Sequence, residues 1–131
     1  MKAQARHEAL YLANAALLFT HEIDAGYWHE WELLGVPGGI QVFLLLNLAL
    51  IAGVLYGFRQ VVRGHYEGRW FAALLATLGV FAFLLHAAFL LAGDAAFRLP
   101  VSLLLVVLAL AVSLVQGALT ARTWRAWGRD A

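Results

Sequence analysis

The chain has 131 residues, of which 63% are hydrophobic, and its formal net charge is +1. This hydrophobic share exceeds the roughly 45–50% of soluble domains, and the charges lie between apolar runs, so the composition predicts an integral membrane protein whose main partner is the lipid bilayer. The sequence has no basic stripe for nucleic acid, and it has no cysteine, which excludes disulfides and cysteine-ligated metal or iron–sulfur sites.

The first predicted span covers about residues 5–25 and is the least apolar part of the predicted bundle. Only 12 residues, 9–20, form an apolar run, and even these include Asn14 and Thr20. A spanning helix needs about 20 residues, so we expect a continuous helix from about residue 5 to residue 34. Its outer part, about residues 26–34, is predicted to be an amphipathic segment lying at the headgroups.

A cleaved signal peptide is the alternative interpretation of this first segment. A short apolar run follows basic residues and precedes the small residue Ala25, which is the general layout of such a peptide. Glu8 and the acidic residues just before the candidate cleavage point argue against it, because signal peptides lack acidic residues at these positions. We therefore expect the first segment to be retained as a span.

Three further spans are predicted over about residues 40–58, 70–91 and 99–121. These runs have the length that a membrane crossing requires, and His86 is the only ionisable side chain within the three. Together with the first span they predict an all-α integral membrane protein, a four-transmembrane-helix bundle that forms a single membrane domain over residues 1–131. The connections are too short to hold another domain.

The basic residues predict the orientation of this bundle, because cytoplasmic loops of membrane proteins carry an excess of Lys and Arg. Eight of the nine basic residues fall on one side: Lys2, Arg6, Arg59, Arg63, Arg69, Arg122, Arg125 and Arg129. Only Arg98 falls on the other side. Both termini are therefore predicted to be cytoplasmic, in a multipass protein of the bacterial inner membrane, and the polar stretch after the first span is predicted to face outward.

That stretch, HEIDAGYWHEWELL over residues 21–34, supplies a candidate functional site. A helical projection at 100° per residue places most of its charges on one face, with Glu30 as the outlier near 180° from His21. His86 in the third span and Asn47 in the second are expected at the same depth. Ionisable groups inside a membrane are costly and usually face the bundle interior, so we expect His21, Asp24 and His86 to come together.

Imidazole nitrogens and carboxylate oxygens are ligands for divalent metals such as zinc, and catalytic zinc sites often use three of them plus water. His21 and Asp24 are three positions apart on a helix, so both can reach one ion, and His86 would complete the set. Glu22, Asn47 and His29 are the candidate second shell of this metal site. The sequence leaves open whether the protein is an enzyme.

Three other interpretations of the same residues stay open. Paired histidines on different helices could hold a haem as axial ligands. Carboxylates and imidazoles in series could conduct protons or a solute, for which a homo-oligomer would be needed. The cluster could also fix helix register by hydrogen bonding alone, in a non-catalytic packing or assembly subunit of a larger membrane complex.

The residues His21-Glu22-Ile23-Asp24-Ala25 and Glu30-Trp31 resemble a signature, His-Glu-Leu/Ile-Asp-Ala followed by Glu-Trp. It is typical of a family of small, uncharacterised bacterial multipass membrane proteins and comes after the first span. The resemblance implies an inner-membrane location and a special status for these polar positions. It implies no particular activity.

Overall fold

A computed structural model of the protein describes residues 2–94 and 96–127, apart from the side chain of Lys2. The described residues form five helices and no strand: α1 (Lys2–Tyr27), α2 (Glu30–Leu33), α3 (Gly39–Val62), α4 (Gly68–Leu91) and α5 (Pro100–Thr123). The predicted all-α class is confirmed, with five helices in place of the expected four. Arg129, one of the basic residues used for orientation, lies outside the described part of the chain.

Three of these helices, α3, α4 and α5, are long and apolar enough to cross a membrane. They contain the predicted spans 40–58, 70–91 and 99–121 almost completely. Helix α1 has 26 residues but does not belong to this set, because its charged residues, among them Arg6, Glu8, Glu22 and Asp24, lower its hydropathy. The described part of the chain therefore has three candidate spans, and apolar helices of this kind imply contact with a lipid bilayer.

The expected continuous helix over residues 5–34 is wrong, because the chain breaks between α1 and α2. Helix α1 ends at Tyr27, and His29 has left-handed backbone angles of φ 53° and ψ 47°. Such angles cannot continue a right-handed helix, and His is one of the few residues with a side chain that adopts them with some frequency. Helix α2 starts at the next residue with a new direction, and it buries Glu30 and Trp31.

Helix α1 contacts all three apolar helices and runs antiparallel to α5 along its length. The pairs of side chains that hydrogen-bond between them are His7 with Thr123, Asn14 with both Ser113 and Gln116, and Asp24 with Ser102. Residue numbers rise along α1 as they fall along α5, which establishes the antiparallel arrangement. These polar side chains of α1 thus face the bundle, with His7 and Asn14 buried, whereas Leu12 and Ile23 on its other faces are exposed.

Small residues allow α4 and α5 to pack closely. Gly79 is buried, and a Cβ at that position would collide with Ser113 Oγ and lie 3.2 Å from the carbonyl oxygen of Ala109. Close approach of backbones through Gly, Ala and Ser is the usual packing of helices in membranes, where lipid removes most of the hydrophobic driving force. This seam fixes α4 against α5 and, further along the same helix, the position of His86.

Candidate functional site

Two histidines and one glutamate meet at the end of the bundle where α1, α2 and α4 converge. His21, Glu30 and His86 each offer one ligand atom, and these atoms all lie within 4.8 Å of one another. The three residues are only 4%, 8% and 1% exposed. We refer to His21, Glu30 and His86 as the His₂Glu cluster.

His86 has a defined tautomer. Its Nδ1 lies 2.7 Å from the carbonyl oxygen of Ala82, and a carbonyl only accepts, so Nδ1–H is the donor. The neutral ring then carries its lone pair on Nε2, which is buried and has no hydrogen-bond partner among the described residues. A histidine that donates one N–H to a backbone carbonyl while the other nitrogen is free is arranged as metal-ligating histidines are.

His21 lies directly against His86, although the two residues belong to different helices. The ring centroids are 4.6 Å apart and the ring planes meet at 83°, an edge-to-face contact. His21 Nδ1 is also buried and has no partner in the described structure. Two adjacent imidazoles with unpartnered nitrogens are costly to bury unless something satisfies them.

Glu30 reaches the cluster because the left-handed residue His29 turns α2 back toward the bundle. Burial, together with the nearby negative charges of Glu22 and Asp24, raises the pKa of the Glu30 carboxyl to about 7. Burial of the neighbouring Trp31 against Phe43, with ring centroids 5.0 Å apart, holds α2 in this position. The Glu30 carboxylate therefore lies in a desolvated environment close to two other acidic side chains, and a bound cation would stabilise its charged form.

Asp24 was expected to be a ligand but occupies a position beside the His₂Glu cluster. Its Oδ1 accepts a hydrogen bond of 2.9 Å from the Ser102 hydroxyl. Its Oδ2 is buried without a hydrogen-bond partner in the described part of the chain. Asp24 is not among the three residues whose ligand atoms are mutually within 4.8 Å.

The structure places two of the three expected second-shell residues near the cluster. The Glu22 carboxyl lies beside the Asn47 side chain, whose Nδ2 donates to the carbonyl oxygen of Phe43 and whose Oδ1 is buried and unpartnered among the described residues. His29 is elsewhere: its side chain is 60% exposed and its ring stacks on Trp31. Glu22 and Asn47 are thus near the cluster, and His29 is not.

An aromatic wall of Trp28, Phe89 and Phe97 covers the cluster. Phe97 is 2% exposed and meets the His86 ring edge to face, with ring centroids 4.2 Å apart. Phe89 stacks on Phe97 with their rings 9° from parallel, and the ring centroid of Trp28 lies 6.1 Å from that of Phe97. Phe97 has a positive φ of 61°, an uncommon backbone conformation for a bulky residue.

The contact between the two imidazoles bears on the haem interpretation. Two axial histidines must stand on opposite sides of a macrocycle, whereas His21 and His86 touch each other edge to face. No macrocycle fits between rings in direct contact. The arrangement instead suits a single ion bound by both imidazoles and the Glu30 carboxylate.

Glu30 is the residue of the cluster that the sequence did not predict. On one continuous helix it projects away from His21, but the break at His29 changes the phase of every residue that follows. Its neighbours in the sequence contained a signal: the apolar Trp31 comes next, and Gly35 and Pro37, which favour the end of a helix, follow soon afterwards. A short buried helix between two turns was a possible interpretation of that pattern.

In comparison with protein families, the sequence model of a family of unknown function, DUF6713, matches residues 7–123. The matched range includes all three residues of the His₂Glu cluster, as well as Asp24 and Ser102. Searches among curated proteins and among solved structures found no match.

Proposed function

This chain belongs to DUF6713, a family whose function is unknown, so we infer its function from the site. We propose that it is a membrane protein that binds a divalent transition-metal ion at His21, Glu30 and His86. The observation that carries the proposal is the convergence of three buried ligand atoms within 4.8 Å, on three different helices. Such a convergence of polar groups in an apolar bundle is costly without a ligand.

The donor set fits the chemistry of a divalent ion. Imidazole nitrogen and carboxylate oxygen are ligands of zinc, and two histidines with one carboxylate also bind Fe(II) in open sites. Bonds of about 2.0–2.2 Å place ligand atoms roughly 3–3.5 Å apart, so small side-chain rotations suffice from the observed separations. The unpartnered Nε2 of His86 would gain a partner, and the ion would balance the buried Glu30 carboxylate.

The proposal assigns the carboxylate ligand to Glu30, whereas the sequence alone suggested Asp24. Glu30 is within reach of both imidazoles, but Asp24 already accepts a hydrogen bond from Ser102. Glu22 and Asn47 remain proposed supporting residues, since they lie beside each other near the cluster.

We further propose that α1 crosses the membrane with the other three long helices, as one domain with both termini in the cytoplasm of a bacterial inner membrane. Side-chain hydrogen bonds join α1 and α5 at three levels, from His7 to Asp24, so the two helices lie side by side over most of their length. The distribution of basic residues supports the orientation. The His₂Glu cluster would then lie near the outer leaflet.

Metal binding by the full-length protein in mild detergent tests the proposal. After chelator treatment and titration with Zn²⁺, we expect one ion per chain by elemental analysis. The substitutions Glu30→Gln and His86→Gln should each weaken binding at least tenfold, because removing even an outer-shell partner of a metal commonly costs roughly 10–100-fold. Glu32→Gln is the matched control, since the Glu32 side chain is 68% exposed on the same short helix.

Two results would contradict the proposal. One is the absence of stoichiometric Zn²⁺, Fe²⁺ and Mn²⁺ in the folded wild-type protein. The other is equal affinity in wild type and in both ligand variants. Either result would favour the packing or assembly role, in which the same substitutions lower stability or partner retention without changing a ligand signal.

A further inference from the structure

We propose that the metal site is of the open kind, with an exchangeable water molecule as a further ligand, held by the Asp24 carboxylate and replaceable by a small anion. This inference rests on the proposed metal site and goes one step beyond it, because it assigns a role to Asp24 and a class of ligand to the site. The ligand class is a small anion with an oxygen or nitrogen donor atom.

The first argument is the number of ligands. Among residues 2–94 and 96–127, the metal-binding group consists of His21, Glu30 and His86, with no fourth His, Asp or Glu at the same mutual distances. Structural zinc sites are closed by four protein ligands, whereas three protein ligands leave a position for water or substrate. A His₂Glu set is one of the sets that catalytic zinc sites use.

The second argument is the placement of Asp24. It follows His21 by three residues on α1, so the two side chains emerge from neighbouring turns on one face, with Cβ atoms about 5–6 Å apart. Asp24 nevertheless falls outside the group of ligand atoms that are mutually within 4.8 Å. A carboxylate one helical turn from a ligand, but beyond direct coordination, is placed to accept a hydrogen bond from a metal-bound water.

The third argument is the orientation of that carboxylate. The Ser102 hydroxyl donates to Asp24 Oδ1, which fixes the plane of the group, while Oδ2 is buried and unpartnered in the described structure. A metal-bound water is a hydrogen-bond donor, which is what a buried carboxylate oxygen requires. Ser102 is itself 4% exposed, so solvent does not compete for the carboxylate from that side.

A hydrogen-bond donor for an incoming anion is also present. Trp28 Nε1 is buried and has no hydrogen-bond partner in the described part of the chain, and an indole N–H only donates. Trp28 belongs to the aromatic wall with Phe97, which covers His86. The wall restricts the site to small ligands, and this N–H favours an anionic one.

Cobalt substitution in the full-length protein tests the inference, because Zn²⁺ has no d–d spectrum and Co²⁺ has one. We expect Co²⁺ bound at the site to give visible absorption bands, and sodium azide to shift them in a saturable way. Asp24→Asn should tighten azide binding about tenfold, the size of effect that loss of an outer-shell partner commonly has on a metal site. The water would lose its acceptor, and azide would no longer meet a negative charge.

Two further variants make the result interpretable. Ser102→Ala keeps the Asp24 carboxylate but removes the bond that orients it, so we expect a smaller shift in azide affinity in the same direction. Glu32→Gln removes one carboxylate from the same end of the molecule and should leave azide affinity unchanged. If Asp24→Asn does not fold, the comparison of Ser102→Ala with Glu32→Gln decides alone.

The possible failures are distinguishable. If the wild-type protein gives no Co²⁺ bands, the proposed metal site itself is refuted. If Co²⁺ binds but azide leaves its bands unchanged, the site is closed and the present inference is refuted, while the metal site stands. If azide binds equally well to wild type and to the folded Asp24 and Ser102 variants, Asp24 does not hold the exchangeable ligand.

Discussion

His21 of α1 and His86 of α4 meet edge to face, with their ring centroids 4.6 Å apart, and Glu30 of α2 completes a buried cluster with them. No two of these residues lie on the same helix. The cluster therefore exists only in the packed bundle, and its properties report on that packing.

We expect Glu30 to make the metal-free protein less stable as the pH rises from about 4.5 to about 7. The folded state raises the pKa of Glu30 to about 7 from its ordinary 4.5, so the folded protein holds this proton where the unfolded chain has lost it. Stabilisation is complete below pH 4.5 and is lost as the pH passes through about 7. The shift corresponds to about 3 kcal/mol at most.

Chemical unfolding of wild type and Glu30→Gln at pH 5 and pH 8 measures this effect, since other titrating groups cancel in the difference. Wild type should lose stability relative to the variant at pH 8. With saturating Zn²⁺ the sign should reverse, because the metal binds the deprotonated carboxylate. A difference between the two proteins that does not change with pH would contradict the prediction.

Replacement of Gly79 by Ala should destabilise the bundle by about 1–3 kcal/mol, the usual cost of overpacking. A Cβ there would collide with Ser113 Oγ and crowd the carbonyl of Ala109, so α4 and α5 would have to separate. Gly53→Ala is the control, because a Cβ at Gly53 meets nothing within 4 Å. Unfolding in mixed micelles gives the stability of both variants. Equal stability of Gly79→Ala and Gly53→Ala would rule out close packing of α4 against α5 at Gly79.

Replacement of Asn14 by Ala should also reduce stability, by about 1 kcal/mol. Asn14 Nδ2 donates to Ser113 Oγ and to Gln116 Oε1, both at 3.0 Å, and such bonds in membrane proteins average about 0.6 kcal/mol each. A double-mutant cycle with Gln116→Ala would isolate the coupling. Thr20→Ala serves as the control, because the Thr20 hydroxyl is exposed and bonds only within its own helix. A coupling of zero between Asn14 and Gln116 would show that this buried network does not hold α1 to α5.

Replacement of Phe97 by Ala should expose the two clustered histidines to reagents. Phe97 covers His86 with a centroid separation of 4.2 Å, and His86 is 1% exposed. Diethyl pyrocarbonate labelling, followed by mass spectrometry, should show His86 and His21 modified several-fold faster in the variant. The measurement needs no bound metal.

Two controls accompany this labelling. His29, whose side chain is 60% exposed, should react equally fast in both proteins. Leu99→Ala changes an exposed residue near Phe97 and should leave the labelling of His86 unchanged. Unchanged labelling of His86 in Phe97→Ala would show that another part of the structure shields the site.

The sequence by itself determined the helical class and the three apolar spans, because helix length and hydropathy are properties of contiguous residues. It also indicated that His21 and His86 would lie at one depth, since each position is set by its distance from the end of its own helix. The meeting of their rings required the tertiary structure, because it depends on how α1 rotates against α4.

The identity of the third residue was decided by the tertiary structure alone. A projection of residues 21–34 on one helix pointed Glu30 away from His21, and Asp24 toward the site. The left-handed conformation of His29 changes the helical phase, turns α2 toward the bundle and buries Glu30. Asp24 instead accepts a hydrogen bond from Ser102 on α5. The backbone conformation of His29 depends on the packing that it permits, here the burial of Trp31 against Phe43. Residue spacing alone does not predict such a conformation.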